Sequence, residues 1–219
     1  MPYPEGANLA LCLENSLILS ELNYNNDEAR SEFENLFLSM TDEQKQIYHK
    51  IMEAVNNNEG RMFFLYGYGG TGKTYIWRTL ANSLKAKNQI VIMVASSGIA
   101  SLLLPGGRTA HSKFKIPVPI FEDSTCNILQ GSQLAELLNQ TNLIIWDEAP
   151  MAHKFCFQAL DQCLRDIIKE KKSNQIFGGK VIVFGGDFRQ ILSVIPRGSR
   201  SDIINATINS SYLWPSCEV

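Results

Sequence analysis

One eight-residue run constrains the fold more than any other feature of the chain. Gly67-Tyr68-Gly69-Gly70-Thr71-Gly72-Lys73-Thr74 satisfies G-x-x-x-x-G-K-[ST], and it stands where the apolar run 61–66 gives way to a helical pattern. Strand, loop and helix in that order make a phosphate cradle. The glycines let backbone N–H groups curl around phosphate oxygens without Cβ clashes, and the following helix N-terminus adds partial positive charge. Lys73 is expected to reach the β- and γ-phosphates. Thr74 is expected to offer its hydroxyl to Mg2+, a hard cation that takes such oxygens together with water. The loop by itself specifies nucleotide binding only, because kinases, GTPases and helicases all use it.

The rest of the chain supplies the fold that this loop needs. Residues 61–66, 89–95, 142–146 and 180–184 read as strands, while 72–87, 98–104, 133–139 and 155–171 read as helices. Such alternation predicts an α/β fold of the P-loop NTPase type, a parallel sheet with helices on both faces. Ahead of it, Thr41 and Gln44 form a capping box for a helix with Ile47, Ile51, Met52 and Val55 at helical spacing, ended by residues 56–60. Residues up to about 26 lack strong periodicity, begin with Pro2, Pro4 and Gly6, and lead into a polar stretch at 23–30. We therefore expect a short N-terminal extension over 1–40, partly helical, and one domain over 41–219.

Two further strand ends carry candidate chemistry. Leu143-Ile144-Ile145-Trp146 runs into Asp147 and Glu148, which places two carboxylates at the sheet edge where ligands of open α/β folds bind. Asp147 is expected to hold Mg2+ through water, and Glu148 to align and deprotonate an attacking water. That arrangement favours hydrolysis of ATP over transfer to a small-molecule hydroxyl. Val181-Ile182-Val183-Phe184 ends in Gly185-Gly186-Asp187-Phe188-Arg189-Gln190, bringing polar groups to the same edge, and Gln190 is suited to the γ-phosphate or the water.

Composition narrows the remaining possibilities. Of 219 residues, 45% are hydrophobic and 19% charged, enough to bury a real core. No apolar run approaches the ~20 residues that cross a bilayer. No Lys or Arg precedes Arg30, so the N-terminus has the basic start of neither a secretory signal nor a mitochondrial transit peptide. The five cysteines, Cys12, Cys126, Cys156, Cys163 and Cys217, form no C-x-x-C pair and fit a reducing compartment. Cys156 and Cys163 stand two helical turns apart, too far for a disulfide, and His153 with Cys156 lacks further ligands for zinc. A formal net charge of −2 gives no domain-wide basic footprint for nucleic acid, although Lys180, Arg189, Arg197 and Arg200 make one stretch locally basic.

Taken together, the segments from about residue 23 to residue 198 resemble the PIF-type (petite integration frequency) DNA helicases, in the RecD-like branch of superfamily one. The resemblance is carried by Thr41-Asp42-Glu43-Gln44, GYGGTGKT, ASSGIASLLLPGGRTAHSKFKIP, WDEAPM and GGKVIVFGGDFRQILSVIPRGSR. It implies a RecA-like motor domain, ATP as substrate with Mg2+, single-stranded DNA or DNA junctions as partner, and work in the nucleus in repair, recombination or telomere upkeep. It implies further that Gln44 reads the adenine, and that Ser97, Gly98, Thr109, His111 and Ser112 lie on single-stranded DNA. Without it, Gly106-Gly107 is a turn and His111 an exposed histidine. Phe114 is a candidate for stacking on a base, whereas Trp77, Phe63, Phe64 and Trp146 occupy apolar positions and are assigned to packing.

Two departures from the family pattern stand out. Ser193 replaces the proline usual after Gln-Ile-Leu, which loosens the turn after the sensor segment. The family's second RecA-like domain, which supplies an arginine finger worth ~10³–10⁵ in rate, has no candidate before Val219, and Arg189 and Arg197 belong to the first domain's own motif. The expectation is a first motor domain with weak turnover or none, or a non-enzymatic module that binds ATP and single-stranded DNA.

Overall fold

The structure is a computed structural model describing residues 15–68, 70–168, 175–189, 193, 195 and 198–219. Six strands form one sheet: β1 (Met62–Tyr66), β2 (Ile90–Ala95), β3 (Arg108–Thr109), β4 (Thr141–Asp147), β5 (Val181–Gly186) and β6 (Cys217–Glu218). Their order is β3-β2-β4-β5-β1-β6 and every pairing is parallel. The carboxyl ends therefore share one edge. The strands expected from sequence occur within a residue or two of their expected ends, while β3 and β6, two residues each, are too short to show a period.

Alternation along the central strands sorts side chains into two cores. Met62, Phe64, Ile90, Ile92, Val94, Ile144, Trp146, Ile182 and Phe184 face one side, whereas Phe63, Val91, Met93, Leu143, Ile145, Val181 and Val183 face the other. Strands apolar on both faces belong inside a sheet covered twice. Helices α1 (Ser16–Leu22), α6 (Ala110–Phe114), α7 (Gln133–Gln140) and α8 (Lys154–Ile167) cover the first face. Helices α2 (Asn26–Leu38), α3 (Asp42–Asn56) and α4 (Lys73–Lys85) cover the second. The short α5 (Gly98–Leu102) follows β2, and α9 (Arg200–Asn205) follows the β5 loop.

The capping box expected at Thr41 is present. Its hydroxyl accepts from the Gln44 N–H, and the Gln44 carboxamide accepts from the Thr41 N–H. Residues before it are tied into the body: Ile18 is buried in the first core, and the rings of Phe33 and Phe37 lie 5.8 and 5.3 Å from Tyr48. Tyr75 on α4 donates its hydroxyl to the Leu36 carbonyl at 2.8 Å.

Several packing assignments can be checked directly. Trp77, Phe63, Phe64 and Trp146 are all buried. Phe114, a candidate for base stacking, is fully buried with its ring 5.9 Å from Trp146, so an apolar contact won over a stacking platform. Lys180 belongs to no basic track either. It sits at the amino end of β5 and donates to the carbonyls of Asn139 and Thr141 at 2.6 and 2.9 Å. Among the described residues no helix is long and apolar enough to cross a membrane, the cysteines are free, and no cluster of His, Cys, Asp and Glu is placed to hold a metal.

Candidate nucleotide site and nucleic-acid edge

The loop after β1 is shaped by its glycines. Gly70 and Gly72 have φ of +85° and +86°, a region that L side chains rarely adopt, so a substitution at either position strains the backbone. Thr71 folds the loop on itself by donating its hydroxyl to the Tyr68 carbonyl at 2.8 Å. Lys73, the first residue of α4, is buried, and its ammonium donates to the carbonyls of Gly67 and Tyr68. Thr74 follows at the start of α4, half-buried. Gly69 lies outside the described residues.

Gln44 reaches this loop from α3. A Cβ on Gly72 would lie 2.7 Å from the Gln44 amide nitrogen, so the helix expected to read the base abuts the end of the phosphate loop. The capping bond uses the Gln44 oxygen and leaves its NH2 group toward Gly72.

Opposite Lys73 stand three carboxylates. Asp147 ends β4, is buried, and accepts the Glu148 N–H at 3.1 Å through one oxygen. Glu148 follows in the left-handed region at φ 52°, a strained placement that turns the chain sharply at the sheet edge. Burial raises the Glu148 carboxyl above the usual carboxylate range. The charge of Asp147 raises it further, Lys73 pulls it down, and Asp187 adds a smaller rise. One group thus feels all three of the others.

Asp187 is the residue that sequence reasoning passed over. It is buried beyond β5, accepts the Arg189 N–H at 2.8 Å and, together with burial, raises the pKa of the Tyr66 hydroxyl. Its motif was visible as polar groups at a strand end, but nothing in the pattern separated it from Gln190, which lies outside the described residues. Gly185 permits the whole arrangement, since a Cβ there would meet Trp77 at 2.5 Å and the Asp147 carboxylate at 3.1 Å. Arg189 turns to the loop, its guanidinium 5.1 Å from the Tyr68 ring.

Beyond β4 the same edge continues into the second set of candidates. Ser97 caps α5, its hydroxyl accepting from Ala100 N at 3.1 Å; Thr109 caps α6, accepting from Ser112 N at 3.4 Å. Ala95 of β2 pairs with Thr109 of β3, which sets the two caps side by side. Gly98 and Ser112 are exposed. His111 is half-buried with Nε2 3.8 Å from the Cys156 thiol, and burial lowers its pKa. Ser193 is buried with its hydroxyl unpartnered among the described residues, and Arg197 lies outside them.

A parallel sheet with a phosphate loop leaving β1 and acids at the ends of β4 and β5 defines a P-loop nucleotide-binding domain of the RecA-like kind. The sequence profile of the family described as PIF1-like helicase matches residues 39–219. The chain belongs to that family. It is 32% identical over 140 residues to the ATP-dependent DNA helicase PIF4 of Trypanosoma brucei brucei, covering 61% of this chain and 17% of the relative. It is 32% identical over 156 residues to the ATP-dependent DNA helicase Pif1 of a Psychrobacter species, covering 70% and 23%. The crystal structure of Pif1 helicase from Bacteroides in complex with ADP-AlF3 and single-stranded DNA superposes with a TM-score of 0.63 at 26% identity, covering 81% of this chain and 40% of that one. The chain thus spans about a fifth of the curated relatives' length.

Proposed function

We propose that residues from about 41 onward form the first motor domain of an ATP-dependent DNA helicase, with α1 and α2 as its cover, hydrolysing ATP in step with movement on single-stranded DNA. The observation that carries this reading is the convergence of Lys73, Asp147, Glu148 and Asp187 on one sheet edge beside a glycine-shaped loop. Lys73 exchanges its loop carbonyls for phosphate oxygens. Glu148, its carboxyl raised above the usual carboxylate range by burial, takes the proton of the attacking water. Gln44 reads the adenine edge, and Gln190 is assigned to the γ-phosphate from sequence.

The donor set suits magnesium. The Thr74 hydroxyl and the second Asp147 oxygen are hard ligands, and among the described residues no cluster of His, Cys, Asp and Glu forms a closed cage, as fits a cation that keeps water and phosphate oxygens. Bound there, it would neutralise phosphate charge. Ser97, Gly98, Thr109, His111 and Ser112 are assigned to the DNA backbone and bases, and work in the nucleus is inferred from the family resemblance alone.

ATP hydrolysis by the purified chain, with and without single-stranded DNA, tests the reading. Turnover that rises with DNA and falls by ~10²–10⁴ in Glu148→Gln, with ATP still bound, supports it. Binding of both ligands without turnover in any condition favours the non-enzymatic module, and failure to bind ATP overturns both.

A further inference from the structure

Trp146 was expected only to pack, yet its surroundings point to a second task. Its indole is wholly buried, and its N–H donates to the Ser96 hydroxyl at 2.9 Å. Ser96 in turn donates its backbone N–H to the Asp147 carbonyl at 3.1 Å. The residue immediately before Ser97 and Gly98 is therefore fastened twice to the end of β4. On another side the indole meets Phe114 of α6, the helix that carries His111 and Ser112, with ring centroids 5.9 Å apart. Phe157 and Phe184 hold it from below at 4.7 and 6.0 Å.

Both halves of the DNA-assigned segment thus lean on one side chain, and that side chain is bonded through the backbone to Asp147 and Glu148. The contrast with Trp77 is instructive. Trp77 is equally buried beside the same acid, but its N–H has no partner among the described residues, so an indole here packs without one of them. The Ser96 bond is not a requirement of burial.

We propose that Trp146 and Ser96 are positioning residues that transmit nucleotide state from the Asp147–Glu148 turn to the segment contacting DNA. The inference rests on the reading of residues 97–112 as DNA-facing. A shift of the turn when the γ-phosphate is bound moves the indole, and the indole moves Ser96 and Phe114 together. The coupling is reciprocal, so DNA changes ATP affinity by the same factor.

The test measures that factor directly. Affinity of a fluorescent oligothymidine is determined with and without a non-hydrolysable ATP analogue and Mg2+, for the wild-type chain, Ser96→Ala, Trp146→Phe and the double variant. The wild type is expected to show coupling of about 5–150-fold. Each single variant should reduce it to under about threefold, while each ligand alone binds within about twofold of wild type. The double variant should lose no more than either single one, because both remove the same bond. It also removes both partners together, leaving no orphaned donor, and so keeps the test valid where Ser96→Ala destabilises the fold. Coupling retained in folded Trp146→Phe or the double variant overturns the proposal. Equal weakening of both separate affinities also overturns it, as the mark of a merely structural role. A wild type that binds DNA but shows no coupling overturns this inference alone, whereas one that binds no DNA overturns the functional reading beneath it.

Discussion

The two ends of one sheet edge are built in different ways. Around β1, β4 and β5, the proposed nucleotide side is made of strands five to seven residues long, with Lys73, Asp147 and Asp187 buried and Glu148 half-buried. Around β2 and β3, the side proposed to meet nucleic acid has a two-residue strand and two five-residue helices. There Ile99 and Leu102 are more than 80% exposed. On the proposed reading, a small ligand of fixed shape would be met by rigid, largely desolvated groups, whereas a long polymer would be met by short capped elements that present backbone and surface. The first edge fixes geometry; the second is held mainly by what lies beneath it.

The largest test of that contrast is Lys73→Ala. Loss of charge-assisted bonds worth ~1.5–3 kcal/mol each should weaken ATP binding on the order of 10²–10⁴-fold by calorimetry. Affinity for single-stranded DNA without nucleotide should stay unchanged; a comparable loss there would erase the distinction. Phe114→Ala attacks the other side. It should cost ~3–5 kcal/mol of unfolding free energy and weaken DNA binding more than ATP binding in the folded protein. Gly185→Ala forces a methyl against Trp77 and Asp147, for which ~1–3 kcal/mol of destabilisation is expected, with ATP and Mg2+ binding impaired before DNA binding. Thr109→Ala removes a cap worth about 1 kcal/mol along with a hydroxyl assigned to DNA, and the lost cap should speed amide exchange over α6 about fivefold with no change at the phosphate loop.

This division also explains what could be read from residues alone. The phosphate loop, the Asp147–Glu148 pair and the Thr41 capping box each act within a few residues, so their patterns carry their own physics. Gln44 at the loop and the DNA-assigned set came from family resemblance, because no local rule links a helix surface glutamine to a glycine 28 residues on. Asp187 escaped attention because its partners, Tyr66 and Glu148, arrive from other strands. The packing of α2 was illegible for the same reason: Phe33, Phe37 and Leu36 find their partners on α3 and α4. Strands of two residues have no period to detect, and Phe114 looked free only until Trp146 stood beside it.

The strand order has a consequence for how the protein is made. β1 carries the phosphate loop, yet its sheet partners β5 and β6 follow β2, β3 and β4 in sequence. Roughly 120 residues separate Tyr66 from Gly186, so at ~5–20 residues per second a ribosome takes roughly 6–24 s to deliver the partner. During that interval Met62-Phe63-Phe64-Leu65-Tyr66 is an apolar strand without neighbours, the kind of segment that nascent chains must keep from aggregating. A nucleotide cannot template the proposed site on the emerging chain, because that site is not complete until β5 has left the ribosome.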